Sequence, residues 1–390
     1  MIEHPLRDIT PGTYFNEPVF LDEKYILLAP ETPFTEKLRG LLGRWQFGTV
    51  YSAGQSGSAP TGSPSPANTE EGQSTILDDT AKDAEGLKAA IEHYRDVAQF
   101  TERLFTRYVT KNELSIHSVT DKVKELIEAV RSHRRFMLRF PMLSNGGSNY
   151  IVEQSVRTAI LSITIGLALK LPPHKLIELG SAALLHEIGM IRLPPQLYMS
   201  DKRLNPKERK TLSAHTLLGF KILKQFSFPL SVCLTVLECR EYINGTGYPR
   251  GLTGDKISLH AKIVMVAGSY AAMTSPRPYR SAKDGHAGIL ELLKDRNTLY
   301  DETVLRALVH TLSVYPIGTY VMLADGSWAM VVNTEDRPPR APDVKVLVST
   351  DGRRYSDPVI VETTTQSRQI VRALRPEEIG QISTGVESGT

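Results

Sequence analysis

Residues 52–76 run through Ser, Gly, Pro, Thr and Ala with almost no large apolar side chain. A stretch of that composition cannot offset its ordering entropy by burial, so it is predicted to be a flexible linker, placed at 52–78. It cuts the 390-residue chain into a short N-terminal piece and a long remainder. The piece 1–51 carries strand-like runs at Tyr25-Ile-Leu-Leu-Ala29 and Gly48-Thr-Val-Tyr51, punctuated by Gly12 and Pro30. It reads as a small β module.

Beyond the linker the apolar period changes. Leu87, Ile91, Tyr94, Val97 and Phe100, then Val123, Ile127 and Val130, recur at helical spacing. They make 79–140 a helical connector, either a coiled dimer stalk or helices packed on the next domain. In 141–312 one helix face is formed by Val152, Val156, Ala159, Ile160, Ile163 and Leu167. Four more helices are expected over 176–188, 206–226, 229–242 and 258–274, with Pro206 and Pro229 in first turns. Alternation returns at Thr319–Leu323, Trp328–Val332 and Val344–Val348, with Asp325-Gly326 as a hairpin turn. This gives a C-terminal β module over 313–365, and 366–390 reads as a frayed polar tail. The fold class is α+β multidomain: a central all-α bundle between two small β modules.

The net charge of +3 is small, so bulk charge does not argue for nucleic acid or membrane binding, and no DNA partner is expected. Two cysteines, Cys233 and Cys239, leave no disulfide framework and no Cys-rich zinc motif. The N-terminus lacks a basic region followed by an apolar run. The apolar stretches 159–171 and 263–273 are read as too short for a bilayer, so no membrane span and a cytoplasmic location are expected.

The chemistry concentrates in Asn244-Gly-Thr-Gly-Tyr-Pro-Arg-Gly-Leu252, Arg277-Pro-Tyr-Arg280 and His186-Glu-Ile-Gly189. Together these resemble the signatures of the bacterial HD-GYP family, HD-type metal-dependent phosphohydrolases that open cyclic-di-GMP. The resemblance covers about 145–285 and implies an HD-type bundle whose inward His and Asp side chains hold metal ions. By that resemblance His186 matches the motif histidine, Glu187 stands for the bridging aspartate, and His215 matches a further ligand. Gln154 replaces a histidine, Cys239 and Arg240 replace an adjacent histidine pair, Gly268 replaces the closing aspartate, and Asn244 replaces the aspartate of the loop motif.

An amide, a guanidinium and a bare backbone cannot complete a dinuclear centre, since each ion needs several ligands besides its waters. No cofactor is therefore expected, the alternative being one weakly bound transition ion on His186, Glu187 and His215. Arg240 is read either as filling the charge and space of the metals, paired with Glu187 or holding a phosphate, or as a surface arginine. Gly247, Tyr248, Arg240, Arg277 and Arg280 are the candidate ligand contacts: a stiff turn with an aromatic face, and cationic forks for phosphates.

Three functions follow from the resemblance. The first is a degenerate pseudoenzyme in cyclic-di-GMP signalling, acting as a nucleotide receptor or as an adaptor for a diguanylate cyclase or another signalling protein. The second is a metal-dependent cyclic-di-GMP phosphodiesterase with an altered site. The third is a scaffold without nucleotide, its old pocket filled by side chains.

Overall fold

The structure, a computed structural model, describes residues 2–16, 19–20, 26–28, 34–36, 39, 42, 49–53, 56–57, 73–139, 149–199, 204–275, 282–335, 337–355 and 358–384. It divides into two compact units, Met1–Ile76 and Leu77–Thr390.

In the first unit the strands are β1 Ile2–Pro5, β2 Tyr14–Phe15, β3 Val19–Phe20, β4 Ile26–Leu28, β5 Thr49–Ser52 and β6 Ser56–Gly57. The order β1-β5-β3-β4 makes one antiparallel sheet, and β2 pairs with β6. Period-2 alternation in β5 turns Val50 inward onto Phe15, Val19 and Phe34. The predicted linker therefore begins too early: Ser56-Gly57, small as they are, form a backbone ladder with Tyr14-Phe15. Residues 58–72 of that segment lie outside the described residues.

The second unit opens with α1 Gln73–Lys111 and α2 Ile116–Met137. Its bundle follows as α3 Tyr150–Ala168, α4 Pro173–Leu185, α5 Gln196–Met199, α6 Pro206–Ser213, α7 His215–Gln225, α8 Leu230–Glu238, α9 Leu259–Met273, α10 Gly285–Lys294 and α11 Glu302–Leu312. Ala90, Tyr94, Val97 and Tyr108 of α1 share one core with α3, α4 and α9, so the connector helices are packed on the bundle. Helix α3 is apolar on nearly every side because it runs through the middle, against α2, α4, α9 and α11. Among the described residues it alone has the length and composition to cross a membrane, contrary to the expectation of too short a stretch, and 83% of its apolar window is buried in the protein.

The expected single helix 206–226 is two. Asn205 and Glu208 form a capping box around Pro206, and α6 stops at Ser213. Helix α7 then starts with His215 as its first residue. Pro229 sits just before α8 rather than in its first turn.

The C-terminal sheet is antiparallel, built from β7 Tyr320–Leu323, β8 Trp328–Asn333, β9 Asp343–Val348, β10 Ile360–Glu362 and β11 Ile370–Ala373 in the order β10-β9-β8-β7-β11. Gly326, with φ +90°, makes the β7–β8 turn, where Ser327 N donates to Asp325 Oδ1. The predicted frayed tail is wrong over much of its length. Strand β11 pairs with β7, and the final helix α12, Pro376–Thr384, is tied back by a two-armed Arg372–Glu378 pair at 2.7 Å. Ile370 and Leu374 supply the apolar anchors that a polar average concealed.

Candidate functional site

His186 and Glu187 follow the last residue of α4, where the chain turns into a short 3-10 helix, Ile188–Arg192. A Cβ on Gly189 would lie 1.9 Å from the His215 carbonyl oxygen and 2.7 Å from Gly219 N. Only glycine lets this turn rest directly on the first turn of α7. The contact brings His215 to Glu187.

Both imidazoles are oriented by their own helices. His186 Nδ1–H donates to Ala183 O at 2.7 Å, and His215 Nδ1–H donates to Leu212 O at 2.8 Å. These bonds leave both Nε2 atoms pointing inward, at 3.2 Å from Glu187 Oε1 for His186 and 4.0 Å from Glu187 Oε2 for His215. The Glu187 side chain is only 2% exposed. Burial pushes His215 down to about 4, with the Glu187 carboxylate countering only part of the effect.

Arg240 reaches the same carboxylate from the end of α8, donating from Nη2 to Glu187 Oε1 at 2.6 Å. Its side chain is 23% exposed, so the pair is shielded from water on the Glu187 side more than on the Arg240 side. Burial alone would raise Glu187, but His186 and Arg240 outweigh it and hold the carboxyl well below the usual range. Burial opposes the charge on Arg240, yet Glu187 more than restores it. Of the two sequence readings of Arg240, the inward one describes the fold.

The other predicted positions surround this pair. Gln154 on α3 donates through Nε2 to Gly268 O on α9 at 2.9 Å. A Cβ at Gly268 would meet nothing closer than 3.6 Å, with His186 Nε2 at 3.8 Å. Close packing therefore does not explain this glycine; it leaves room beside the imidazole. Cys239 is buried, donates to Val236 O at 3.3 Å, and has its thiol pushed up to about 12 by burial. Burial thus keeps the proton on its sulfur, which is turned to its own helix.

Four buried polar atoms here have no hydrogen-bond partner: His186 Nε2, His215 Nε2, Glu187 Oε2 and Gln154 Oε1. Such a group calls for a cation or donor. Two bridged metal ions do not fit, because a guanidinium lies on the bridging carboxylate and Gly268 offers no ligand. A dication ~4.5 Å from it would be repelled by roughly 7 kcal/mol at an effective dielectric of ~20. A single ion suits two imidazoles, one carboxylate oxygen and an amide oxygen by donor type. As the side chains stand, however, among the described residues no three His, Cys, Asp or Glu converge to hold one.

The loop 244–252 forms the wall beside Arg240. Glu241, fully buried, accepts from the backbone N–H of Arg250 at 2.7 Å and of Leu252 at 2.9 Å. Glu238 accepts from Arg250 Nη2 and from Ser258 N. Sequence reasoning missed both carboxylates; their i, i+3 spacing on an apolar helix end was the available signal. A Cβ on Gly247 would lie 2.3 Å from Tyr242 N and 2.5 Å from Arg240 O, so glycine is required for the loop to lie on the helix end. Asn244 accepts from Thr246 N and Oγ1, holding the turn. Tyr248 donates its backbone N–H to Arg240 O at 3.0 Å, sets its ring edge-on to His215 at 6.1 Å, and precedes a cis Pro249. Arg277 and Arg280 lie outside the described residues.

Residues 141–304 match the family described as HD domain, and 320–382 match the KOW domain associated with HD domain. Cyclic di-GMP phosphodiesterase PdeB of Borreliella burgdorferi is 33% identical over 210 residues, 54% of this chain and 55% of the relative. Cyclic di-GMP phosphodiesterase PA4108 of Pseudomonas aeruginosa is 32% identical over 234 residues, 59% of this chain and 55% of the relative. The chain thus spans about half the length of the curated relatives it matches. A solved structure, Bd1817, an HDG"Y"P protein from Bdellovibrio bacteriovorus, superposes with a TM-score of 0.47 at 14% identity, over 79% of this chain and 97% of that one. The central helical domain of this chain is an HD domain of the HD-type superfamily, followed by an HD-associated KOW domain.

Proposed function

We propose that the HD domain is a cytoplasmic receptor for cyclic-di-GMP that binds the nucleotide without opening it. The observation that carries this reading is the 2.6 Å pair between Arg240 and Glu187. Hydrolysis in HD-type sites needs a dication to lower the pKa of a bound water. Here a guanidinium sits on the carboxylate that would bridge such ions. Glu187, held ionised by His186 and Arg240, is also a poor general base.

The same arrangement suits binding. Arg240 is partly open to solvent and spends one N–H on Glu187, which leaves further guanidinium donors for a phosphodiester oxygen. Tyr248 borders the same opening, with Gly247 letting the loop backbone lie close. The relatives named cyclic di-GMP phosphodiesterases support the choice of ligand. Calorimetry of the full chain with cyclic-di-GMP in chelator, followed by chromatography after incubation with Mn2+, tests the reading. Saturable heat without linear product is expected. Absence of binding, or turnover abolished by His186→Ala, overturns it.

A second reading is a phosphodiesterase using one metal ion, favoured by the four orphaned polar atoms around Glu187. His186, His215, Glu187 and Gln154 would hold the ion, which would supply an activated water. The chromatographic arm separates the two readings.

A further inference from the structure

We propose that Arg240 is a built-in competitor for a single divalent cation: guanidinium and metal exclude each other at Glu187. The inference concerns the same pocket as the receptor reading but does not depend on nucleotide binding.

Both imidazoles are held with Nε2 inward by hydrogen bonds from Nδ1 to Ala183 O and Leu212 O. His186 Nε2 and Glu187 Oε1 face each other at 3.2 Å, two acceptors that need a proton or a cation between them. Arg240 answers only part of this demand, with one N–H bond to Oε1 at 2.6 Å, while Oε2, both Nε2 atoms and Gln154 Oε1 stay without hydrogen-bond partners. The donor set is therefore arranged for more positive charge than it holds.

What stands in the way is also plain. With the carboxylate turned to Arg240, no three metal-ligating side chains among the described residues converge. Glu187 has to rotate off the guanidinium before its oxygens, His186 and His215 share one point. Arg240 projects from the residue after the Cys239 helix cap, and its side chain is partly open to solvent while its three neighbours are shut in. Its flexible stem lets the charge swing to water without moving the helix. Removing the positive charge should thus uncover a mononuclear site that the native chain keeps closed.

The test uses the full chain stripped with chelator and desalted, titrated with Mn2+ while the free-ion electron paramagnetic resonance signal is followed. Arg240→Ala should bind one ion at least about tenfold more tightly than the native chain, the size of effect that neighbours of metal ligands exert. Arg240→Lys, which keeps the charge, should stay as weak as the native chain. Adding His186→Ala to Arg240→Ala should remove the gain. If Arg240→Ala does not fold, Arg240→Gln, which can still hydrogen-bond Glu187, should show the same gain. Equal affinity in the native and neutral variants overturns the proposal, as does a gain that survives loss of His186. No nucleotide is present, so failure here leaves the receptor reading standing, and failure of nucleotide binding leaves this one standing.

Discussion

Replacing Arg240 by Met keeps much of the side-chain volume and removes the charge, leaving Glu187 ionised in a site where it is 2% exposed. With charge centres about 4 Å apart and an effective dielectric of ~20, the lost attraction is ~4 kcal/mol. Breaking a buried pair from one side typically costs ~3–5 kcal/mol. Arg240 is 23% exposed, so water recovers part of this and His186 part of the rest; we expect a net loss of about 2–3 kcal/mol. Glu187→Gln alone should cost less, because the partly exposed guanidinium can turn to water. The double variant should cost clearly less than the sum, leaving a coupling of about 2 kcal/mol. Urea unfolding of metal-free chain, followed by circular dichroism at 222 nm with m-values checked for constancy, measures it. Additive single effects, with coupling below ~0.5 kcal/mol, would refute the ion pair as the organising contact of the site.

Other substitutions probe the surroundings. Gly247→Ala should break the loop from the end of α8, since the new Cβ meets three backbone atoms at 2.3–2.5 Å; a loss of nucleotide binding and of amide protection at Tyr248 reports it. Gly268→Ala should do the opposite and raise stability by up to ~1 kcal/mol, because a helix-interior glycine is replaced where a methyl has room. For pH, His215 lies at about 4 in the folded chain against 6.5 ordinarily, so the unfolded chain binds more protons between those values. Stability should therefore fall as pH drops from about 6.5 to about 4, by up to ~3 kcal/mol at about 1.4 kcal/mol per unit. His215→Gln should flatten that part of the profile. Glu187, whose pKa is depressed, adds a loss at still lower pH.

The bundle was legible in the chain because helical spacing of large apolar residues survives averaging: Val152, Val156, Ile160 and Ile163 are all buried as one face. The break between α6 and α7 was not, since Ala214 keeps helical dihedrals and no Gly or Pro marks it. The convergence of His186, Glu187, His215 and Arg240 could be named only through the motifs. These residues come from three separate elements, and the side of a helix end that Arg240 takes is set by packing rather than by spacing. Glu238 and Glu241 escaped notice because acidic residues near a loop ordinarily face water, whereas these two bind backbone N–H groups inside it. At the C-terminus, a polar average hid the Ile370 and Leu374 anchors of β11 and its flank.

The account stands on one charge balance: a monocation, Arg240, occupies the carboxylate on which a pair of dications would have to sit. Elemental analysis of the native full chain, purified without chelator and assayed in the same sample for cyclic-di-GMP cleavage, tests this most directly. The account predicts well under one metal ion per chain and no linear dinucleotide. Two bound transition-metal ions per chain accompanied by turnover would contradict it.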